Sequence, residues 1–219
     1  REKNIMYQPD PVKFVGLRAQ WADLEETLVG AVAELIHNTA FVGGPALADF
    51  EAHMARYLGV EQVVGCSDGT SALYLSLQAC GLEPGEGVIV PTNSFVASAH
   101  GVAHAGGVPV LVDCDPRTYL LDLQQTEDAL AAGKARFIMP VHLYGNPCPM
   151  DDILALADKY GATVLEDNAQ AIGATYKGKY TGSFGRAAGI SFYPAKNLGC
   201  FGQGGAITTN DAGVAAHAR

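Results

Sequence analysis

From Glu61 onward the chain alternates short apolar runs with amphipathic segments, and this alternation constrains the fold more than any other feature. The runs "EQVVGC", "GVIVP", "VPVLVD", "RFIMPVHL", "ATVLED", "AAGISFYP" and "GGAITTN" have strand length and strand composition. Between several of them, "TSALYLSLQACG", "FVASAHGVAHAG", "LQQTEDALAAG" and "MDDILALADKYG" repeat apolar residues at helical spacing. Such an order predicts an α/β fold with a mostly parallel sheet covered by helices on both faces. Upstream, "WADLEETLVGAVAELIHNTAF" sets Trp21, Leu24, Leu28, Val32, Leu35 and Ile36 on one face of an expected helix. The stretch Gly43 to Pro45 stops it, and "ALADFEAHMARYLG" is expected to form a second helix closed by Gly59. The expected organisation is an N-terminal segment and helix over 1–40 and a large domain over 41–219. A further helix begins in "NDAGVAAHAR", and a C-terminal portion is expected beyond it, because an α/β domain normally covers its final strand.

Composition narrows the function classes. With 219 residues, 48% of them apolar, the chain can bury a substantial core. Fourteen basic against 23 acidic residues give a net charge of −9 without a block of like charge, which argues against nucleic acid or an anionic membrane as partner. An anionic small molecule stays compatible, since backbone N–H groups bind phosphate without a basic surface. Five widely spaced cysteines without a Cys-x-x-Cys pair read as reduced, buried, small apolar residues of a cytoplasmic protein. No apolar run approaches the length of a membrane span.

The chemistry-bearing stretch runs from Glu166 to Gly199, "EDNAQAIGATYKGKYTGSFGRAAGISFYPAKNLG". Asp167 ends one expected strand, and Lys196 follows another in a stretch otherwise uncharged from Ala187 to Thr209. Ligands of parallel sheets sit beyond the carboxyl ends of strands. Taken alone, Lys196 reads equally as a solvent-facing loop lysine or as a desolvated amine able to attack a carbonyl carbon. Asp167 alone reads as a helix cap. Together they match the needs of pyridoxal phosphate, which takes a lysine at its aldehyde carbon and an acid at its pyridine nitrogen. In "GCSDGTSALYLSL" a strand ends at Cys66 and Thr70 and Ser71 open a helix, an arrangement that serves as a phosphate site or as an ordinary turn and N-cap. Phe95, just past "GVIVP", either stacks on a cofactor or belongs to the core. Gln170 either donates to a ring oxygen or faces water. Neither a P-loop nor a Gly-x-Gly-x-x-Gly follows any strand, which disfavours nucleotide-binding loops. His100 and His104 lack the glutamate of His-Glu-x-x-His and a third ligand, so no metal site is expected. His142 reads as a packed histidine or as part of the sheet's functional edge.

In order along the chain, "FVGGPALADFEAHMARYLGV", "SDGTSAL", "SFVASA", "PVHLYGNPCPMDDI", "LEDNAQAIGA" and "GSFGRAAGISFYPAKNLGCFGQGGAI" resemble the DegT/StrS family of sugar aminotransferases. The resemblance implies a fold-type I large domain that binds pyridoxal 5'-phosphate, with a smaller C-terminal domain missing from these residues. It makes Lys196 the Schiff-base lysine and Asp167 the partner of the pyridine nitrogen. It puts Gln170 on the ring's 3-oxygen, Phe95 on the ring face, and Thr70, Ser71 and Ser191 around the phosphate. It implies transfer of an amino group, usually from glutamate, to the keto group of a nucleotide-linked sugar, in a homodimer with shared active sites. Many members carry Ala-Ala-Gln-Ala-His where this chain has Asn168 to Ile172, so that histidine is replaced here. Two alternatives stand beside this reading: the family's dehydratase branch, which has histidine at the lysine position, and a non-catalytic regulatory protein that binds the same cofactor. Lys196 and Asp167 speak against both.

Overall fold

The computed structural model describes residues 16–219, which divide into two compact units, the first ending at Val42 and the second running Gly43–Arg219. In the first unit, the single helix expected from Trp21 is two helices, α1 (Leu17–Ala22) and α2 (Glu25–His37). At the break the Leu24 N–H donates to the Trp21 carbonyl at 3.0 Å, a tight i→i−3 turn in place of the α-helical bond. Glu25 and Glu26 then occupy the first turn of α2, where carboxylates meet the positive end of the helix dipole.

The second unit opens with α3 (Gly44–Leu58), which ends on Gly59 in the left-handed region at φ +68°. Strand and helix then alternate: β1 (Gln62–Cys66), α4 (Gly69–Ala79), β2 (Gly87–Pro91), α5 (Val96–His104), β3 (Val108–Val112), α6 (Leu123–Ala131) and β4 (Phe137–Ile138). After a 3₁₀ turn at Leu143–Gly145 come α7 (Met150–Tyr160), β5 (Thr163–Asp167), the hairpin β6 (Thr175–Tyr176) and β7 (Lys179–Tyr180), β8 (Ala187–Ser191), β9 (Gly205–Thr209) and α8 (Ala212–Ala218). The main sheet has the order β1-β9-β8-β5-β4-β2-β3. Its neighbours from β8 to β3 pair parallel, and β9 alone runs against both of its neighbours. The chain is therefore α/β with a mostly parallel sheet, as the alternation requires.

Period-two alternation assigns side chains to the two faces. Val88, Val90, Phe137, Met139, Leu165 and Ile207 pack on one side with Leu73 and Leu77 of α4, Val102 of α5 and Val214 of α8. Ile89, Ile138 and Val164 pack on the other with Leu130 of α6 and Ile153 of α7, while Val63, Ile190 and Ala206 meet Met54 and Leu58 of α3. Full burial of each large aliphatic side chain contributes roughly 1.5–3 kcal/mol. Of the five cysteines, Cys80 and Cys148 are buried and the other three are partly exposed, which corrects the expectation that all are core residues.

Two expected elements differ in extent. The run "RFIMPVHL" yields only Phe137–Ile138 as strand, because Pro140 has no N–H to donate to a ladder. In "AAGISFYP" the strand stops at Ser191, and beyond Pro194 the Lys196 N–H folds back to the Tyr193 carbonyl at 2.8 Å. The β6–β7 hairpin was not expected; its turn is Lys177-Gly178, with φ +49° and +80°, the conformation of a type I′ turn.

What positions the sheet's functional edge is the close seating of α4 on β8 and β9. A Cβ on Gly205 would lie 2.3 Å from the Asp68 carbonyl oxygen, and one on Gly69 would lie 2.6 Å from the Ser191 Cβ. The turn before α4 thus rests directly on the first residue of β9 and the last of β8. Because the obstacle at Gly205 is backbone, Gly205→Ala is expected to lower stability by about 1–3 kcal/mol. A shift of the denaturant midpoint smaller than a few tenths of a molar unit would contradict this close seating.

Candidate active site

Strand β5 ends in two consecutive buried carboxylates that point to opposite faces, Glu166 at 0% and Asp167 at 4% exposure. Glu166 is satisfied by the chain. Its Oε1 accepts from the N–H groups of Phe184 (2.7 Å) and Gly185 (2.8 Å), and its Oε2 accepts from the Gly182 N–H (2.7 Å). The fourth donor is His142 Nε2 at 2.9 Å. Since His142 Nδ1 accepts from the Cys148 N–H at 3.0 Å, the network assigns the ring proton to Nε2 and a neutral imidazole. His142 is therefore a buried, packed histidine, and with Glu166 it ties the turn Gly182–Gly185 and the segment after β4 to the end of β5.

Asp167 is handled differently. Ser98 Oγ, on the buried face of α5, donates to its Oδ2 at 2.7 Å, and the Ala169 N–H donates to its Oδ1 at 3.1 Å. Ser98 in turn shares a 2.6 Å hydrogen bond with Ser94. Among the described residues no cation lies within ion-pair distance of Asp167. Burial pushes its carboxyl above the usual carboxylate range, against the pull of those two donors and of the more distant charge of Lys196. Lys196 lies half-buried in the turn after β8, and burial holds its ammonium below the ordinary lysine value while the charge of Asp167 works the other way. The two groups thus face one another electrostatically, each partly desolvated, across a gap wider than a salt bridge.

The other expected site residues gather at the same edge of the sheet. Gln170, half-buried, accepts from the Tyr144 N–H through Oε1 at 2.8 Å, which leaves its amide NH₂ as the donor end. Phe95 is the N-cap residue of α5 and is 68% exposed, so it is not part of the core. Thr70 and Ser71 lie in the first turn of α4, and Gly69 brings them beside Ser191. The Ser71 hydroxyl, however, is engaged: it donates to Asp68 Oδ2 at 3.1 Å and accepts from Ser67 Oγ at 2.8 Å. Asp68 caps α4 by accepting from the Ser71 N–H at 2.8 Å. Burial alone would raise the Asp68 carboxyl, but the donors from Ser71, Ser67 and Thr70 outweigh it and leave it below the usual range. His100 and His104 stack edge to face, with centroids 4.7 Å apart, and Tyr74 packs against His104. Sequence reasoning missed Ser98 and Glu166, whereas Asp68 fills the N-cap role weighed for "GCSDGTSALYLSL".

The model of the DegT/DnrJ/EryC1/StrS aminotransferase family matches residues 22–219. This chain belongs to that family. It is 42% identical over 207 residues to a UDP-N-acetyl-3-dehydro-alpha-D-glucosamine 3-aminotransferase of Acidithiobacillus ferrooxidans, covering 94% of this chain and 56% of that one. It is 48% identical over 176 residues to a GDP-perosamine synthase of Caulobacter vibrioides, covering 80% and 47%. Among solved structures it resembles NtdA of Bacillus subtilis with bound cofactor PMP, with a TM-score of 0.89, 36% identity, and coverage of 99% of this chain and 48% of that one. The chain spans about half the length of the curated relatives it matches.

The Glu166 carboxylate accepts four hydrogen bonds, and an amide in its place would turn an NH₂ against N–H donors. Glu166→Gln is expected to cost about 3–5 kcal/mol of stability. Hydrogen exchange at Gly182, Phe184 and Gly185 should rise well beyond that of β2. Unaltered protection of those amides would show that the turn does not depend on this carboxylate.

Proposed function

We propose that this protein is a pyridoxal 5'-phosphate-dependent aminotransferase that moves an amino group, with glutamate as donor, to the keto group of a nucleotide-linked sugar, acting as a homodimer. The observation that carries the reading is Asp167: a buried carboxylate with two neutral donors, no ion pair among the described residues, and a half-buried lysine whose charge reaches it. That is the environment a protonated pyridine nitrogen would complete, so the residues present fit the group. Membership in an aminotransferase family supports the same reading, as do relatives named for UDP- and GDP-linked sugars.

When bound, the cofactor supplies an electron sink for the carbanion left when a proton leaves the carbon next to nitrogen. Lys196 would hold the cofactor covalently through Nζ. Because burial favours its neutral form, a larger fraction of its amine is unprotonated near neutral pH than in an exposed lysine. Released from the cofactor, the same amine would take and return the proton at the substrate carbon. Asp167 would keep the pyridine nitrogen protonated, with Ser98 and the Ala169 N–H fixing its carboxylate plane. Gln170 would donate its NH₂ to the ring oxygen, its Oε1 being held by Tyr144. Phe95, exposed at the start of α5, would cover one ring face. Thr70, Ser71 and Ser191 would hold the phosphate at the N-terminus of α4. For Ser71 this requires its hydroxyl to turn from Asp68.

Two measurements test these roles. Lys196→Ala, mixed with pyridoxal 5'-phosphate and desalted, is expected to lose the yellow absorbance that the parent protein keeps. Retention of colour by the variant would move the covalent attachment to another residue. Asp167→Asn preserves shape and most of the capping ability but removes the charge. It is expected to keep the cofactor and to lose at least about 100-fold in the rate of the half-reaction with glutamate, as the loss of a buried ion-pair partner in the transition state demands. A near-normal rate would reduce Asp167 to a structural cap.

A further inference from the structure

The hairpin β6–β7 holds no expected site residue, yet it ends on one that is wholly committed to the loop bearing Gln170. Thr181 is fully buried. Its N–H donates to the Ala174 carbonyl at 3.0 Å, and its own carbonyl accepts from Asn168 Nδ2 at 3.1 Å. Its Oγ1 donates to the Ala171 carbonyl at 2.9 Å, with the Ala174 carbonyl a longer second acceptor at 3.3 Å. The first of these bonds continues the hairpin ladder, in which Thr175 pairs with Tyr180. The other two leave the ladder and reach back over the loop 168–174.

Thr181 has firm support on both sides. Tyr180 stacks on Tyr57 of α3 with ring centroids 5.0 Å apart, and Tyr176 meets the Phe184 ring edge to face at 5.9 Å. Lys177 pairs with Asp151 in the first turn of α7. On the other side, the Gly182 N–H donates to Glu166 at 2.7 Å. Asn168 is fully buried, and its amide rests so closely on Gly182 that a Cβ there would lie 2.7 Å from Nδ2. Thr181 therefore stands between a braced hairpin and the turn that Glu166 fixes.

Gln170 is restrained at two points. Its Oε1 accepts from the Tyr144 N–H at 2.8 Å, which fixes the rotation of the amide. The carbonyl of the next residue, Ala171, is tied to Thr181, which fixes the backbone that carries it. Between β5 and β6 no helix or strand shapes this loop, so side-chain bonds of this kind decide its course. A donor is useful to a ligand atom only when it is held within a few tenths of an ångström of the right place.

We propose that Thr181 is a positioning residue for Gln170: its hydroxyl holds the loop so that the Gln170 NH₂ meets the cofactor's ring oxygen. The inference rests on the role given to Gln170 above. A donor at that oxygen favours its ionised form, so a misplaced donor lets the cofactor keep its proton to higher pH. The pH titration of the holoenzyme's visible absorbance reads this without turnover. Gln170→Leu and Thr181→Val are each expected to raise the midpoint by about half a pH unit or more. Thr181→Ser, which keeps the hydroxyl, is expected to titrate like the parent. The double variant should titrate like Gln170→Leu alone, because the hydroxyl acts through the amide. Asn168→Ala removes the donor to the Thr181 carbonyl; it is expected to raise the midpoint too, and it carries the test if Thr181→Val does not fold. If Gln170→Leu moves the midpoint and the variant at Thr181 or its substitute does not, this inference alone is overturned. A double variant whose shift is the sum of the two single shifts overturns it as well. An unmoved midpoint in Gln170→Leu overturns the role of Gln170 and this inference with it. A parent protein without a visible band in pyridoxal 5'-phosphate overturns the cofactor reading itself.

Discussion

Burying two adjacent carboxylates at the end of one strand is the most demanding thing this fold does, because an unanswered charge in a protein interior costs several kcal/mol. The two are answered in opposite ways. Glu166 takes three backbone N–H groups and the His142 Nε2–H, which converts its charge into a brace for the turn Gly182–Gly185 and the segment after β4. Asp167, one residue on and on the other face, receives among the described residues only Ser98 and the Ala169 N–H. The difference between a fully and a half-satisfied carboxylate separates the structural residue from the one proposed to meet the cofactor.

The rest of the site depends on how closely α4 approaches the sheet. Gly205 and Gly69 remove the side chains that would separate the turn before α4 from the strands, so the N–H groups of its first turn reach the edge where Ser191 and Lys196 also lie. Asp68 occupies that helix start as a cap, and its carboxylate lies among the hydroxyls proposed for the phosphate.

Much of this was legible in the chain. Alternation of strand and helix patterns is a local property, since period two and period 3.6 follow from backbone geometry; hence β2, β5 and β9, and α4 through α7, lie close to where the periodicity puts them. Lys196 and Asp167 were legible because charged residues at the ends of apolar runs are rare and a parallel sheet aligns strand ends. The break at Leu24 and the β6–β7 hairpin were less so, as a single turn leaves almost no periodic signal.

By itself, then, the sequence determined the α/β class and the alternation of strand and helix from β1 to β5, because both follow from spacing along the backbone. Only the tertiary structure decided which neighbours the residues at the strand ends have. That Ser98 donates to Asp167 across 69 positions and that His142 donates its Nε2–H to Glu166 are both facts of packing. Hydrogen bonds select partners by position and angle within a few tenths of an ångström, and no spacing rule along the chain encodes distances between segments that meet only when the sheet has formed.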